Sequence, residues 1–219
     1  MNIAAYIDHT ILKPSTTIAE IEQLCKDAAA WDFAAVCVPP PFVKSAKILL
    51  DPTRVKVATV TGFPFGYSAT EAKIAETVLA LVDGADEIDM VINLVALRMG
   101  DYEFLRRELK LATEVVHNKD RTIKIIIESG ILSDDEIVLC CGIAAEAGVD
   151  YVKTSTGYAE RGATLEAVQL MRRHLPETIK IKASGGIKSF TFAEQLILAG
   201  ASRLGCSAGV QLMEEQAAR

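Results

Sequence analysis

Two lysines lie near the ends of two apolar runs, Lys153 in DYVKTSTG and Lys182 in KIKASGG. An amine attacks a carbonyl carbon and forms an imine only in its uncharged state. A free lysine has a pKa near ~10.4, so about one molecule in a few thousand is uncharged at pH 7. Bringing that value to ~7 costs the charged form roughly 4 kcal/mol. Partial burial beside a second ammonium supplies a penalty of that kind. Neighbouring strands lie roughly 4.8 Å apart, so a lysine pair on adjacent strands is a stronger sign of Schiff-base chemistry than one lysine. The plainer alternative is that both reach water at wet strand ends, or that one pairs with a carboxylate.

A carboxylate accompanies them. In GADEIDMVIN, alternation sets Glu87, Asp89 and Val91 on one face and Ile88, Met90 and Ile92 on the other. The apolar set must meet apolar helices, which turns Asp89 inward, where it needs a cation or hydrogen bonds. Lys153 and Lys182 meet that need, and a purely structural ion pair is the competing account. Lys124, Ile126 and Glu128 share the same inward parity against Ile123, Ile125 and Ile127. Stability alone seldom requires a mixed-charge interior, because an apolar core serves at least as well. The excess of charge favours catalysis.

The elements that position these groups repeat a simple rhythm. Short β-branched runs at 6–9, 34–38, 55–61, 87–92, 123–128, 151–154, 179–183 and 203–206 alternate with stretches of helical period. Thr17 with Glu20, and Ser133 with Glu136, form capping boxes. Thr70, Thr164 and Ser189 are candidate N-caps, and Gly84, Gly148 and Gly200 mark helix ends. Eight strand-helix units in 219 residues are the period of a single closed (β/α)8 barrel, a TIM barrel of the α/β class spanning residues 1–219. An open doubly wound sheet is the alternative. It has fewer strands and a glycine-rich turn after the first, where this chain has HTILKP.

A barrel carries its chemistry at the C-terminal ends of its strands, and anions bind in the loops after strands seven and eight. SGG (184–186) and GCSAG (205–209) fall there, with STG (155–157) nearby. Glycines let backbone N–H groups close on an anion, and a helix starting near Ala208 points its positive end at the same place. His9, His117 and His174 lack metal-ligand spacing, and no serine elbow or dinucleotide fingerprint occurs. The net charge of −6 excludes a general nucleic-acid binder. No apolar run is long enough for a membrane span, and the N-terminus lacks a signal-peptide pattern. Five cysteines without disulfide or zinc spacing fit a reducing, cytoplasmic setting.

These segments together resemble the deoxyribose-phosphate aldolase family along nearly the whole chain. The similar stretches are IDHTILKP, VCVPPPFV, VTGFPFG, EIDMVIN, IKIIIESG, YVKTSTGY, IKASGGI and GCSAG, in order at the ends of the eight expected strands. The resemblance implies a class I aldolase with no metal and no cofactor. Lys153 corresponds to the imine-forming lysine, Lys182 to the lysine that depresses its pKa, and Asp89 to a carboxylate relaying protons with ordered water. Asp8 and Thr10 correspond to positions near the sugar hydroxyls. Gly157, Gly185, Gly186, Gly205 and Ser207 correspond to the phosphate turns. Cys37, Thr154 and Thr156 complete the implied substrate-binding set. The implied partners are a phosphosugar and acetaldehyde, with assembly into a dimer or tetramer.

The chain departs from the family pattern at Pro39 and Pro40, where asparagine is common, and at Cys206 and Ala208, where threonine and serine are common. The missing hydroxyl at Ala208 leaves phosphate binding to backbone groups. Cys37 has two accounts, a small buried residue or a thiol that adds to unsaturated aldehydes. Another phosphosugar enzyme on the same barrel, or a non-catalytic phosphosugar-binding protein, shares many of these features.

Overall fold

The computed structural model describes residues 2–218. Its strands are β1 (Ile7–Thr10), β2 (Ala35–Val38), β3 (Lys56–Thr61), β4 (Glu87–Val91), β5 (Thr122–Ile126), β6 (Tyr151–Lys153), β7 (Lys180–Ser184) and β8 (Arg203–Cys206). All pair in parallel and in sequence order, and β8 pairs back onto β1 with Ile7 opposite Leu204. Closure leaves no open sheet edge, so the doubly wound alternative is excluded.

Helices α1 (Ile18–Trp31), α2 (Val43–Leu49), α3 (Thr70–Val82), α4 (Leu94–Met99), α5 (Tyr102–His117), α6 (Asp134–Ala147), α7 (Leu165–His174), α8 (Phe190–Leu198) and α9 (Gly209–Ala217) surround it. Both capping boxes form, at Thr17/Glu20 and Ser133/Glu136, and Thr164 and Ser189 cap α7 and α8. Thr70 differs from expectation. Ala69 occupies the N-cap position, and the Thr70 hydroxyl instead donates to Glu108 at 3.2 Å. Gly148 closes α6 in the left-handed conformation, whereas Gly84 and Gly200 sit one residue past the C-caps of α3 and α8.

Strand parity builds two separate interiors. Ile88, Met90 and Ile92, with Ile123, Ile125 and Ile127, face outward and join the core between strands and helices. Each such side chain contributes about 1.5–3 kcal/mol on burial. Inside the barrel, Cys37, Ala58 and Val60 form a small apolar cluster covered by Leu12 and Phe63. Many of the remaining inward positions carry charge, namely Asp8, Glu87, Asp89, Lys124, Lys153, Lys182 and Arg203. Among the described residues no helix is long and apolar enough to cross a membrane.

Candidate active site

The barrel register sets Lys153 opposite Lys182 on β6 and β7, and Asp89 opposite Lys124 on β4 and β5. Their side chains converge. Asp89 Oδ2 accepts from Lys153 Nζ at 2.8 Å and from Lys182 Nζ at 2.7 Å, while Oδ1 accepts from Lys124 Nζ at 2.7 Å. Lys124 also pairs with Glu87 at 2.6 Å. Arg203 donates to Glu87 at 2.8 Å and to Asp8, and Asp8 pairs with Lys182 at 2.5 Å. Asp89, Lys124, Glu87, Arg203, Asp8 and Lys182 thus close a six-membered ring of alternating charge. Lys153 hangs from Asp89 outside the ring.

Burial and charge act against each other at every member. Burial works to raise the Asp89 carboxyl, yet Lys124, Lys153 and Lys182 hold it well below the usual carboxylate range. Burial works to lower Lys182, but Asp8 and Asp89 raise it above an ordinary lysine. Lys124 is raised in the same way by Asp89 and Glu87. Lys153 alone among the three lysines is lowered. Burial is the main cause. Asp89 opposes it, and Lys182 adds to it. The crowding expected from Lys182 is therefore real but secondary. Asp89 also touches Lys153 directly.

An open cavity of about 740 Å³ covers this end of the barrel. Of the three lysines, only Lys153 lines it. Thr10 lines it from the end of β1, Thr156 and Gly157 from the loop after β6, Gly185 and Gly186 from the loop after β7, Gly205 from β8 and Ser207 from just beyond it. Asp8, Cys37, Thr154, Asp89 and Lys182 do not reach it. Asp8 lies within the charge ring. Thr154 stitches β6 to β7, donating to Ser184 O at 3.2 Å and accepting from Ser184 N at 3.0 Å. Cys37 is fully buried, and burial raises its thiol.

The turns after β7 and β8 suit an anion. Gly185 and Gly186 take left-handed φ values of 86° and 79°, which favour glycine. Helix α9 begins at Gly209, and its N-cap residue Ala208 offers no side-chain cap, which leaves N–H groups of the first turn for an anion. Gly205 has another role as well. A Cβ there meets Lys182 Cε and Ser184 Cβ, each at 3.0 Å. Gly205→Ala is expected to lower stability by about 1–3 kcal/mol through overpacking, as measured by denaturant unfolding. A change within about 0.3 kcal/mol runs against this account.

Glu128 was expected in β5, but β5 ends at Ile126 and Glu128 takes φ 56°, ψ 53°. A non-glycine residue in that region is strained. Its carboxylate accepts from Thr156 N at 3.2 and 3.3 Å and from the Thr156 hydroxyl. Thr156 Oγ1 accepts from Tyr158 N at 3.0 Å, and the Tyr158 hydroxyl donates to Leu12 O at 2.8 Å. Glu128 thereby ties the loops after β5, β6 and β1. The sequence reading missed Arg203, whose inward parity with Gly205 on β8 was the available signal. It also missed the buried pair Lys73–Glu108 at 2.8 Å, which joins α3 to α5 outside the barrel and leaves no strand-parity signal. His117 and His174 end α5 and α7.

A closed (β/α)8 barrel with a buried lysine that meets the cavity, a carboxylate against it and glycine turns beside it has the architecture of a lysine-dependent aldolase. The chain belongs to the DeoC/LacD family aldolases, whose sequence pattern matches residues 2–212. It is 47% identical over 216 residues to a deoxyribose-phosphate aldolase of Caldanaerobacter subterraneus subsp. tengcongensis, covering 98% of this chain and 94% of that protein. A deoxyribose-phosphate aldolase of Thermococcus gammatolerans is 48% identical over 216 residues, with 98% and 96% covered. The tetrameric structure of deoxyribose phosphate aldolase from Aeropyrum pernix superposes with a TM-score of 0.92 at 30% identity, covering 98% of this chain and 91% of that one.

Proposed function

We propose that this enzyme reversibly cleaves 2-deoxy-D-ribose 5-phosphate into D-glyceraldehyde 3-phosphate and acetaldehyde through an imine on Lys153. The observation that carries the reading is that Lys153 lines the cavity while Lys124 and Lys182 do not. It is also the lysine whose pKa is lowered. The relatives' names supply the substrate.

Neutral Lys153 attacks C1 of the open-chain aldehyde. Loss of water leaves an iminium, which takes up the electron pair released when C2–C3 breaks. The C3 hydroxyl loses its proton, and glyceraldehyde 3-phosphate departs. The enamine is protonated at C2, and hydrolysis frees acetaldehyde and the amine. Asp89 and Lys182 move the protons. Asp89 is kept anionic and Lys182 charged, and both act on the reacting atoms by way of Lys153, since Lys153 and Lys182 donate to the same Asp89 oxygen. Backbone groups at Gly157, Gly185, Gly186, Gly205 and Ser207, with the start of α9, hold the phosphate and so fix C1 against Lys153. Thr10 meets the sugar from the end of β1 and Thr156 from the loop after β6. Asp8, Cys37 and Thr154 act from beneath, as walls and supports for the substrate groups above.

Borohydride reduction in the presence of acetaldehyde, followed by peptide mapping, tests the chemistry, and the two-carbon adduct belongs on Lys153. Feeding acetaldehyde with glyceraldehyde 3-phosphate tests the substrate. Absence of deoxyribose 5-phosphate would reject the assignment in favour of another phosphosugar enzyme or a non-catalytic binder. Glu128→Gln weakens the tie to Thr156, so KM for the phosphosugar is expected to rise on the order of tenfold, the scale of one charged hydrogen bond. Steady-state kinetics measures it, and an unchanged KM removes Glu128 from the site. The enzyme works as a single barrel domain over residues 1–219, in the cytoplasm, as a homo-oligomer of two or four chains. Five buried free cysteines support a reducing compartment, and the tetrameric Aeropyrum relative supports association.

A further inference from the structure

We propose that Arg203 and Glu87 are positioning residues for the imine step: by closing the charge ring on the far side from the cavity, they leave Lys153 as the one cation without a carboxylate of its own. The inference rests on the aldolase reading above. Neither residue lines the cavity, so neither touches substrate.

The ring holds three carboxylates, Asp8, Glu87 and Asp89, and three cations, Lys124, Lys182 and Arg203. It is neutral when Lys153 is uncharged. Protonating Lys153 places one positive charge in excess of the ring's own carboxylates, and the buried Glu128, engaged by Thr156, is the one further carboxylate that acts on it; burying net charge is costly. Arg203 is the hinge of this balance. It spans Asp8 on β1 and Glu87 on β4 with one guanidinium, a geometry that a planar fork can hold. Its guanidinium also lies 5.8 Å from the Tyr151 ring centre, which Lys124 approaches at 6.0 Å and Lys180 at 5.7 Å. Without Arg203, Asp8 and Glu87 have one cation too few, and the surplus negative charge is met by a proton on Lys153.

The groups that act on Lys153 come from every side of the barrel. They are Cys37 on β2, Asp89 on β4, Glu128 after β5 and Lys182 on β7. Asp8 on β1 and Arg203 on β8 act through Lys182 and Asp8 respectively. The inward residues of β3, Ala58 and Val60, are uncharged. Burial lowers Lys153 and Asp89 raises it, so the sign of the ring's net charge decides how far that lowering proceeds.

The test is the rate of acetaldehyde trapping by cyanoborohydride as a function of pH, in the wild-type chain and four variants whose fold is checked by circular dichroism. Arg203→Gln is expected to move the acid limb up by about one pH unit, which is about tenfold less neutral amine below the limb. Glu87→Gln is expected to move it down by a similar amount. The double variant R203Q/E87Q restores neutrality and returns the limb to within about 0.3 of the wild type, and R203K stays near it because its charge is kept. Opposite signs and recovery in the double variant are not effects of loosened packing. Should Arg203→Gln not fold, the sign of the Glu87→Gln shift decides alone. If the limb does not move, or moves the same way in both single variants, the inference is overturned. Wild-type protein that traps no aldehyde at any pH overturns the aldolase reading itself.

Discussion

Lys153→Ala is expected to lose imine trapping altogether and about four orders of magnitude or more in kcat/KM, as nucleophile removal does elsewhere. Lys124 and Lys182 also touch Asp89, but they are fully buried and held charged. Neither lines the cavity, so neither can substitute. The stability of this variant should change little or rise. The substitution takes away the one cation in excess of the ring's carboxylates, and Asp89 keeps two lysines. Trapping on any lysine in this variant, or activity within about a hundredfold of wild type by coupled assay, would sink the assignment.

Asp89→Asn is expected to damage both stability and rate. The amide fills the same space but removes the one carboxylate shared by three lysines. Lys124 keeps Glu87 and Lys182 keeps Asp8, whereas Lys153 loses its one ion-pair partner among the described residues. Removing one side of a buried pair costs about 3–5 kcal/mol, and losing a positioned proton carrier costs about 10² to 10⁴ in kcat. The pH dependence has a defined sign. The folded value of Asp89 is depressed, so the stability it contributes is present above its unfolded value near ~3.9 and is lost as pH falls through the folded value. The stability gap between wild type and D89N should therefore narrow below about pH 4. A gap of constant size down to pH 2 shows that Asp89 is not ionised in the fold.

The charged interior was legible because β-strands alternate. Once Ile88, Met90, Ile123 and Ile125 are assigned to the helix-facing side, Asp89 and Lys124 have nowhere to point but inward, and both do. Helix starts were legible where a short side chain folds back on its own backbone, as at Thr17 and Ser133. Thr70 has the same residue type, but its hydroxyl found a carboxylate on another helix. Glu128 escaped the parity argument because its backbone leaves the strand for a left-handed turn held by Thr156, a residue 28 positions away.

From the sequence by itself came the eight-unit barrel, the inward parity of Asp89 and Lys124, and the lysine pair on neighbouring strands. These follow from local periodicity and spacing, which act over a few residues. Tertiary structure decided which lysine meets the cavity, that burial outweighs crowding in lowering it, and that Arg203 closes a ring through Asp8, 195 residues away in sequence. Those outcomes depend on closure of β8 onto β1, because net charge in a desolvated interior is a property of all the strands together and of no single segment.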